Sequence, residues 1–132
     1  MKIQHLLTGI IVACSMAGTA QAASTLTSGL VYGGPEQTHA ACEVVNLSNA
    51  PITFVKKEIV GQFGGVLPLF FDDCGKALEP NAVCTFQAAT PGSQAAACKF
   101  TIHQARTNIR GTMVALTGPG ANPTPLSESD IR

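Results

Sequence analysis

The sequence of 132 residues has no tryptophan and only one tyrosine, and 12% of its residues are charged. Carbohydrate-binding proteins tend to use exposed aromatic platforms, so the missing tryptophan argues against that role. Eight basic residues balance eight acidic ones, and nucleic-acid binding needs a clustered basic face. A hydrophobic content of 45% excludes a disordered chain, and this length predicts a single domain.

The sequence also lacks an apolar run long enough to span a membrane, which takes about 20 residues. The main apolar run lies within residues 1–22, between Lys2 and an Ala-Gln-Ala sequence. This pattern predicts a bacterial secretory signal cleaved before Ala23. The alternative is a lipobox in which Cys14 becomes the anchor of an outer-membrane lipoprotein. We therefore expect a secreted or periplasmic protein, with no integral membrane segment and with lipidation at Cys14 as the alternative.

Residues 23–117 show no helical stripe but contain short alternating runs bounded by Gly, Pro, Asn and Asp. This spacing is typical of an all-β sandwich, here of about seven strands. Pro68 predicts an edge or irregular strand for the run that contains it. Residues 118–132 are rich in Pro and Ser and are predicted to be a disordered tail. The predicted strand runs are 30–32, 41–47, 52–60, 66–71, 82–89, 96–103 and 109–116.

The same alternation predicts which side chains face the core, because residues two apart on a strand share a face. Cys42, Cys84 and Cys98 are predicted to face inward, whereas Cys74 falls in a loop. The phenylalanines that are predicted to face inward are Phe54, Phe86 and Phe100.

The four cysteines of residues 23–117 are predicted to form two structural disulfides. No Cys-x-x-Cys pair occurs, which argues against a zinc site or a redox centre. We favour Cys74–Cys84, which closes a short loop onto a strand, together with Cys42–Cys98. The latter would join two inward faces, as the inter-sheet bridge of immunoglobulin sandwiches does. The alternative is Cys42–Cys74 with Cys84–Cys98, in which the second pair is one residue out of register across a tight turn.

Two stretches resemble Hydin-like immunoglobulin domains of bacterial surface proteins. Residues 44–52, VVNLSNAPI, are similar to the strand, Asn, small turn and apolar strand that open those domains. Residues 74–84, CGKALEPNAVC, resemble a segment in which those domains bridge two cysteines, although Asn81 stands where Gly is usual and the Phe-x-Pro expected after the second cysteine is not clean. The resemblance implies an immunoglobulin-like β-sandwich and a Cys74–Cys84 bridge.

A looser resemblance links the chain to small secreted bacterial proteins of unknown function. It rests on the sequence AACK at residues 96–99 and on the Arg110–Gly111 pair in the last predicted strand. Together the resemblances cover residues 40–117. They imply little about function, because one fold hosts many functions.

Residues that could carry catalysis or bind a metal are few and scattered. His103 is predicted to face outward and His39 to lie in a polar loop. Asp72 and Asp73 lack the spaced acidic ligands that calcium requires, so we expect a solvated loop there. Lys56–Lys57 is predicted to be a solvated face. With no Gly-x-Ser-x-Gly elbow either, we predict no enzyme activity, no metal and no cofactor.

Phe63, Phe70 and Phe71 remain as the candidates for an exposed contact with a partner. The predicted function is a non-catalytic secreted or envelope-associated module that binds an unknown protein or envelope partner, or serves a structural role. One alternative is a small inhibitor, an adhesin or a fimbrial-type subunit that acts on a protein partner. The Pro-rich tail counts against a fimbrial subunit, which would need a C-terminal strand to complete a neighbour's fold. The other alternative is a secreted hydrolase without a recognisable motif.

Overall fold

The computed structural model describes residues 22–117 and 124–132 of the chain. Apart from residue 22, the predicted signal segment 1–22, with its possible lipid anchor Cys14, lies outside the described residues. The described residues contain ten β-strands and two short 3₁₀ turns, Pro91–Ser93 and Arg106–Asn108. The strands are β1 (Ser24–Thr27), β2 (His39–Asn46), β3 (Ile52–Gly61), β4 (Val66–Leu67), β5 (Leu69–Asp72), β6 (Ala77–Leu78), β7 (Val83–Ala89), β8 (Ala96–Ile102), β9 (Ile109–Thr117) and β10 (Thr124–Ile131).

The strands form two antiparallel sheets that pack as a sandwich, which confirms the predicted fold class. Sheet I has the order β1-β8-β3-β4, and β6 pairs with the beginning of β3. Sheet II has the order β10-β9-β2-β7-β5. The structure has more strands than the seven expected, because β1, β6 and β10 were not predicted and the run 66–71 forms two strands, β4 and β5. Of the predicted run 30–32, only Val31 pairs, in an isolated bridge to Ala96.

The hydrophobic core lies between the inward faces of the two sheets. Phe86 on β7 and Phe100 on β8 are fully buried, as the alternation predicted. Phe54 on β3 is buried too, and its ring meets that of Phe100 edge-on with the ring centroids 5.9 Å apart. Burial of these apolar side chains is the main contribution that holds the sheets together.

Two disulfides lie in this core, and they are the pairing that we favoured. Cys42 on β2 is bonded to Cys98 on β8, with the two Cα atoms 5.9 Å apart, so the bond joins sheet II to sheet I. Cys74 follows β5 and is bonded to Cys84 on β7, with a Cα–Cα distance of 4.8 Å. Structural disulfides of this kind indicate an oxidising, extracytoplasmic environment.

A buried asparagine organises the turn between β2 and β3. The Asn46 side chain is fully buried, and its amide donates hydrogen bonds of 2.9 Å to the carbonyl oxygens of Ala50 and Leu78. Its oxygen accepts the backbone N–H of Ser48, also at 2.9 Å. Every polar group of this side chain is therefore bonded, which explains why an asparagine followed by small residues separates the two strands here.

The last described residues extend the sandwich beyond its predicted end. Residues 124–131 form β10, which pairs antiparallel with β9 from Thr117 to Gly111. The prediction of a disordered tail over 118–132 is therefore wrong for residues 124–131. The polar composition was misleading because β10 is an edge strand of sheet II. Ile131 is buried and Leu126 packs against the core, whereas the acidic residues of β10 face solvent.

Strand β10 also closes one side of the sandwich. Ser28 bridges to Ile131, and Thr27 and Arg132 exchange two backbone hydrogen bonds of 3.0 Å each. These contacts link β1 of sheet I to β10 of sheet II. We name the side of the sandwich formed by residues 24–28 and 124–132 the closed edge. The C-terminal strand that a fimbrial subunit would need is present, but in this structure it completes the chain's own sheet.

Candidate functional site

The opposite side of the sandwich is crossed by residues 61–72, which we name the open edge. This segment leaves sheet I as β4 and enters sheet II as β5. Strand β4 is the last strand of sheet I, and β5 is the last strand of sheet II. Within the described part of the chain, no strand pairs with the outer side of either, so backbone groups of both sheets face outward here.

A tight hairpin at the start of the open edge presents Phe63. Gly61 and Gly65 close the hairpin through a 2.8 Å backbone hydrogen bond from the Gly61 N–H to the Gly65 carbonyl oxygen. Gly64 has φ +84°, a backbone conformation that side chains disfavour. Phe63 projects from this turn with 83% of its surface exposed. A phenylalanine at the tip of a rigid turn has little protein surface to pack against.

Pro68 marks the point where the chain passes from one sheet to the other. The predicted single strand 66–71 is therefore two strands in two sheets, which fits the irregular strand that Pro68 predicted. In β5 the register shifts between Leu69 and Phe71, so Phe70 is the extra residue of a β-bulge. Phe70 is 62% exposed and Phe71 is 44% exposed. All three candidate contact residues thus lie exposed on the open edge.

The ring of Phe70 packs against that of His39. His39 was wrongly predicted to lie in a polar loop. His39 begins β2 and is 8% exposed. Its ring meets that of Phe70 at 79° with the centroids 6.0 Å apart, and its Nδ1 atom is hydrogen-bonded to the Thr38 hydroxyl at 2.8 Å. Desolvation by burial lowers the pKa of His39 below its ordinary value of 6.5.

Lys57 ties the far end of the open edge to β3. Its ammonium lies 2.6 Å from an Asp72 carboxylate oxygen, donates a 2.6 Å hydrogen bond to the Gly75 carbonyl oxygen and sits 5.3 Å from the centroid of the Phe54 ring. Its side chain is only 12% exposed, so the predicted solvated face is wrong for Lys57. A register shift between Phe54 and Lys56 changes the expected alternation. Lys56, at 64% exposure, agrees with the prediction.

Asp72 at the end of the open edge and the next residue, Asp73, accept backbone hydrogen bonds. Asp72 accepts the N–H of Cys74 at 3.0 Å in addition to its bond with Lys57, and Asp73 accepts the N–H of Thr85. Asp73 also lies with Cys74 and Cys84 in a group whose ligand atoms are within 4.8 Å of one another. Both sulfurs are in a disulfide, however, and a thiolate is the form that binds metal. This group is therefore structural.

His103 is exposed at the end of β8, as the alternation predicted. Its backbone N–H donates to the Thr53 carbonyl oxygen at 3.1 Å. The structure therefore does not bring His39 and His103 into one site, since His39 lies at the start of β2 among residues of the open edge.

Comparison with protein-family models, curated proteins and solved structures finds no match to this chain. The resemblance to Hydin-like domains is thus confirmed only as far as a β-sandwich of two antiparallel sheets. Among the described residues, no helix has the length and apolarity needed to cross a membrane.

Proposed function

We propose that this protein is an exported, non-catalytic module that binds a protein partner through its open edge. The observation that supports this most directly is the exposure of three phenylalanines on one continuous segment, at 83%, 62% and 44% for Phe63, Phe70 and Phe71. Exposed apolar patches on soluble proteins commonly mark interaction surfaces. Aromatic residues are also enriched among the residues that dominate binding energy at interfaces.

The backbone of the open edge supports the same proposal. A partner strand could pair with the unpaired outer side of β5 while Phe70 and Phe71 supply side-chain contacts, which is the β-augmentation mode of recognition. The Cys74–Cys84 disulfide and the Lys57–Asp72 ion pair hold this end of the edge in place. A fixed edge loses less conformational entropy on binding than a mobile one.

An inhibitor is the more specific form of this proposal. Inhibitors present an anchor on a protruding loop, and Phe63 on the β3–β4 hairpin has that character. Export as a soluble periplasmic or secreted protein, and the lipoprotein alternative through Cys14, remain part of the proposal. The absence of enzyme activity stays a prediction.

The test places a photo-crosslinking phenylalanine analogue at Phe63 or Phe70 of the full chain expressed in its native host. Val55 and Leu47, which are 51% and 53% exposed elsewhere on the surface, provide the matched control positions. We expect a discrete adduct from the open-edge positions and none from the controls. Equal adducts from all four positions would show only non-specific contact and would overturn the proposal.

The captured partner is then purified and titrated against the natural chain and two variants. Phe70→Ser combined with Phe71→Ser should weaken binding by about tenfold or more, because each buried aromatic anchor contributes about 1 kcal/mol or more at an interface. Leu47→Ser should leave the dissociation constant unchanged. Unchanged binding in the double variant, with its fold intact by circular dichroism, would contradict the proposal.

A further inference from the structure

A cleft of about 780 Å³ opens at the end of the sandwich away from the Phe63 hairpin. Its lining includes Arg106, Arg110 and Arg132, which are all the arginines of the chain. Arg106 opens the 3₁₀ turn that follows β8, whereas Phe63 lies in the loop beside the start of β8. The cleft is therefore separate from the open edge.

The fold brings these arginines together from distant parts of the chain. Arg106 and Arg110 lie on either side of the start of β9. Ile131, the last residue of β10, pairs with Gly111, so this register continues with Arg132 beside Arg110. A Cβ atom on Gly111 would lie 2.8 Å from the Glu43 carbonyl oxygen and 2.7 Å from Ile131 Cδ1, so glycine lets β9 lie this close to the backbone of β2 and to the Ile131 side chain. The sequence showed the Arg-Gly pair but gave no sign of its neighbour on β10.

The guanidinium of Arg110 uses only its Nη1 group in hydrogen bonds to the described residues. Its Nη1 atom donates to the carbonyl oxygens of Ile109 at 2.9 Å and Thr107 at 3.2 Å. Across residues 22–117 and 124–132, its Nε and Nη2 groups have no hydrogen-bond partner. An arginine offers five N–H donors in a fixed fork that matches a carboxylate or phosphate. The free side of this fork is therefore available to an oxyanion.

The charges of the cleft are unbalanced at this point. No carboxylate of the described residues lies within 4.0 Å of any arginine guanidinium, since both ion pairs there involve lysines. The register places Arg132 across from Arg110, and like charges directly opposite each other on neighbouring strands repel. Glu43 and Asp130 also line the cleft, but they flank Thr112 in the next cross-strand row. A bound anion would relieve the repulsion between the two arginines.

The row that contains Arg110 continues as an apolar surface. Val45 on β2 pairs with Arg110 on one side and with Val83 on the other. Both valines line the cleft, and Val83 is 65% exposed. From β10 to β7 the row thus changes from two cationic side chains to two apolar ones. A ligand that fits this row has an anionic head and an apolar body.

We propose that this cleft binds an amphipathic organic anion, with its carboxylate or phosphate head on Arg110 and Arg132 and its apolar body over Val45 and Val83. The cleft volume of about 780 Å³ falls in the range of small-molecule sites. The head supplies the charge that the arginines lack, and the body covers the exposed valine surface.

The proposal is tested by NMR titration of the exported chain with octanoate and with octyl phosphate, alongside acetate and inorganic phosphate. We expect saturable shifts at Arg110, Val45 and Val83 with the two octyl compounds and weaker binding of the anions that lack a chain. The tighter of the two octyl compounds identifies the preferred head group. No saturable shift, or acetate binding as tightly as octanoate, would overturn the proposal.

Variants then separate the two halves of the site. Arg110→Gln should weaken octanoate binding by about tenfold, because it removes a charge-assisted contact, and Arg110→Lys should give an intermediate loss. Val83→Thr, which keeps the branched shape, should weaken octanoate binding and leave acetate binding unchanged. Lys99→Gln on sheet I is the matched charge control and should change nothing. Equal loss in Lys99→Gln and Arg110→Gln would show a general charge effect and contradict the site.

Discussion

The two long sides of this sandwich end their sheets in opposite ways. At the closed edge, β1 and β10 join the sheets through the Ser28–Ile131 bridge and two backbone hydrogen bonds between Thr27 and Arg132. At the open edge, one chain segment passes from sheet I to sheet II at Pro68, and no strand among the described residues pairs with the outer side of β4 or β5. The closed edge buries an isoleucine, whereas the open edge exposes three phenylalanines.

If the proposed function holds, this difference separates the residues that stabilise the fold from the residues that bind a partner. Unpaired strands with exposed apolar side chains invite association, and proteins usually cover or charge such edges. Here one edge is covered by the chain's own last strand, and the other is not. Side chains of the closed edge should therefore contribute mainly to folding, and side chains of the open edge mainly to binding.

The largest expected effect concerns the disulfides, one central and one at the open edge. Replacing Cys42 and Cys98 together by alanine should lower the free energy of unfolding by about 4 kcal/mol, because that bond closes a long loop. Replacing Cys74 and Cys84 should cost about 3 kcal/mol, since their loop is short. Guanidinium unfolding of both double variants measures the difference. A larger loss at the open edge would contradict the order.

The second prediction contrasts a matched residue from each edge. Ile131→Ala removes a side chain that is 3% exposed and should lower the free energy of unfolding by about 2–4 kcal/mol. Phe71→Ala removes a larger side chain that is 44% exposed and should cost about 1 kcal/mol or less. Thermal and urea unfolding test both. Equal losses would remove the distinction between the two edges.

The third prediction concerns the ion pair that fastens the open edge. Lys57→Met keeps the packing on Phe54 but removes the bonds to Asp72 and Gly75, at an expected cost of about 1–2 kcal/mol. Lys56→Met removes a pair whose lysine is 64% exposed and should cost less than about 1 kcal/mol. Urea unfolding at low and high salt provides the measurement. A salt-sensitive loss confined to Lys56→Met would sink this assignment.

The smallest expected effect is the pH dependence of stability that His39, which contacts Phe70 of the open edge, contributes. Burial lowers the pKa of His39 in the folded state below 6.5. Above pH 6.5 the residue is therefore mostly neutral in the folded and the unfolded chain, and its protonation does not change the free energy of unfolding. As the pH falls, the unfolded chain takes up the proton first, and stability is lost towards the folded-state pKa. Melting temperatures at about pH 7.5 and about pH 5 should differ less in His39→Gln than in the natural chain. Identical slopes would exclude His39 as the source.

The sequence predicted the parts of this fold that depend on alternation. On β7 and β8 the inward faces around Phe86 and Phe100, and the Cys42–Cys98 bridge between sheets, follow from the period of two along a strand. The pairing of Cys74 with Cys84 was favoured for its short loop. The inward faces depend on neighbours along one strand and the Cys74–Cys84 bond on a short separation, whereas the Cys42–Cys98 bond, with a sequence separation of 56, was favoured because both side chains were predicted to face inward.

The remaining features depend on partners that are distant in the sequence. Strand β10 is polar and proline-bearing, and only its pairing with β9 and the burial of Ile131 make it a strand. Lys57 was placed on a solvated face because the register shift in β3 cannot be read from its residues. Phe63, Phe70 and Phe71 were candidates for exposed contacts, but that all three are exposed on one edge follows from the bulge in β5 and the change of sheet at Pro68. The arginine cleft was missed because Arg132 reaches Arg110 only through β10.

The position of the Cys74–Cys84 disulfide has a mechanical consequence. Cys74 follows the last residue of β5 by two positions, and Cys84 lies inside β7. A pulling force applied at Phe70 or Phe71 would pass into β7 through a covalent bond, whereas the backbone hydrogen bonds of β5 alone could break one by one. This bond should therefore keep β5 from peeling away from the sheet under a load on its side chains.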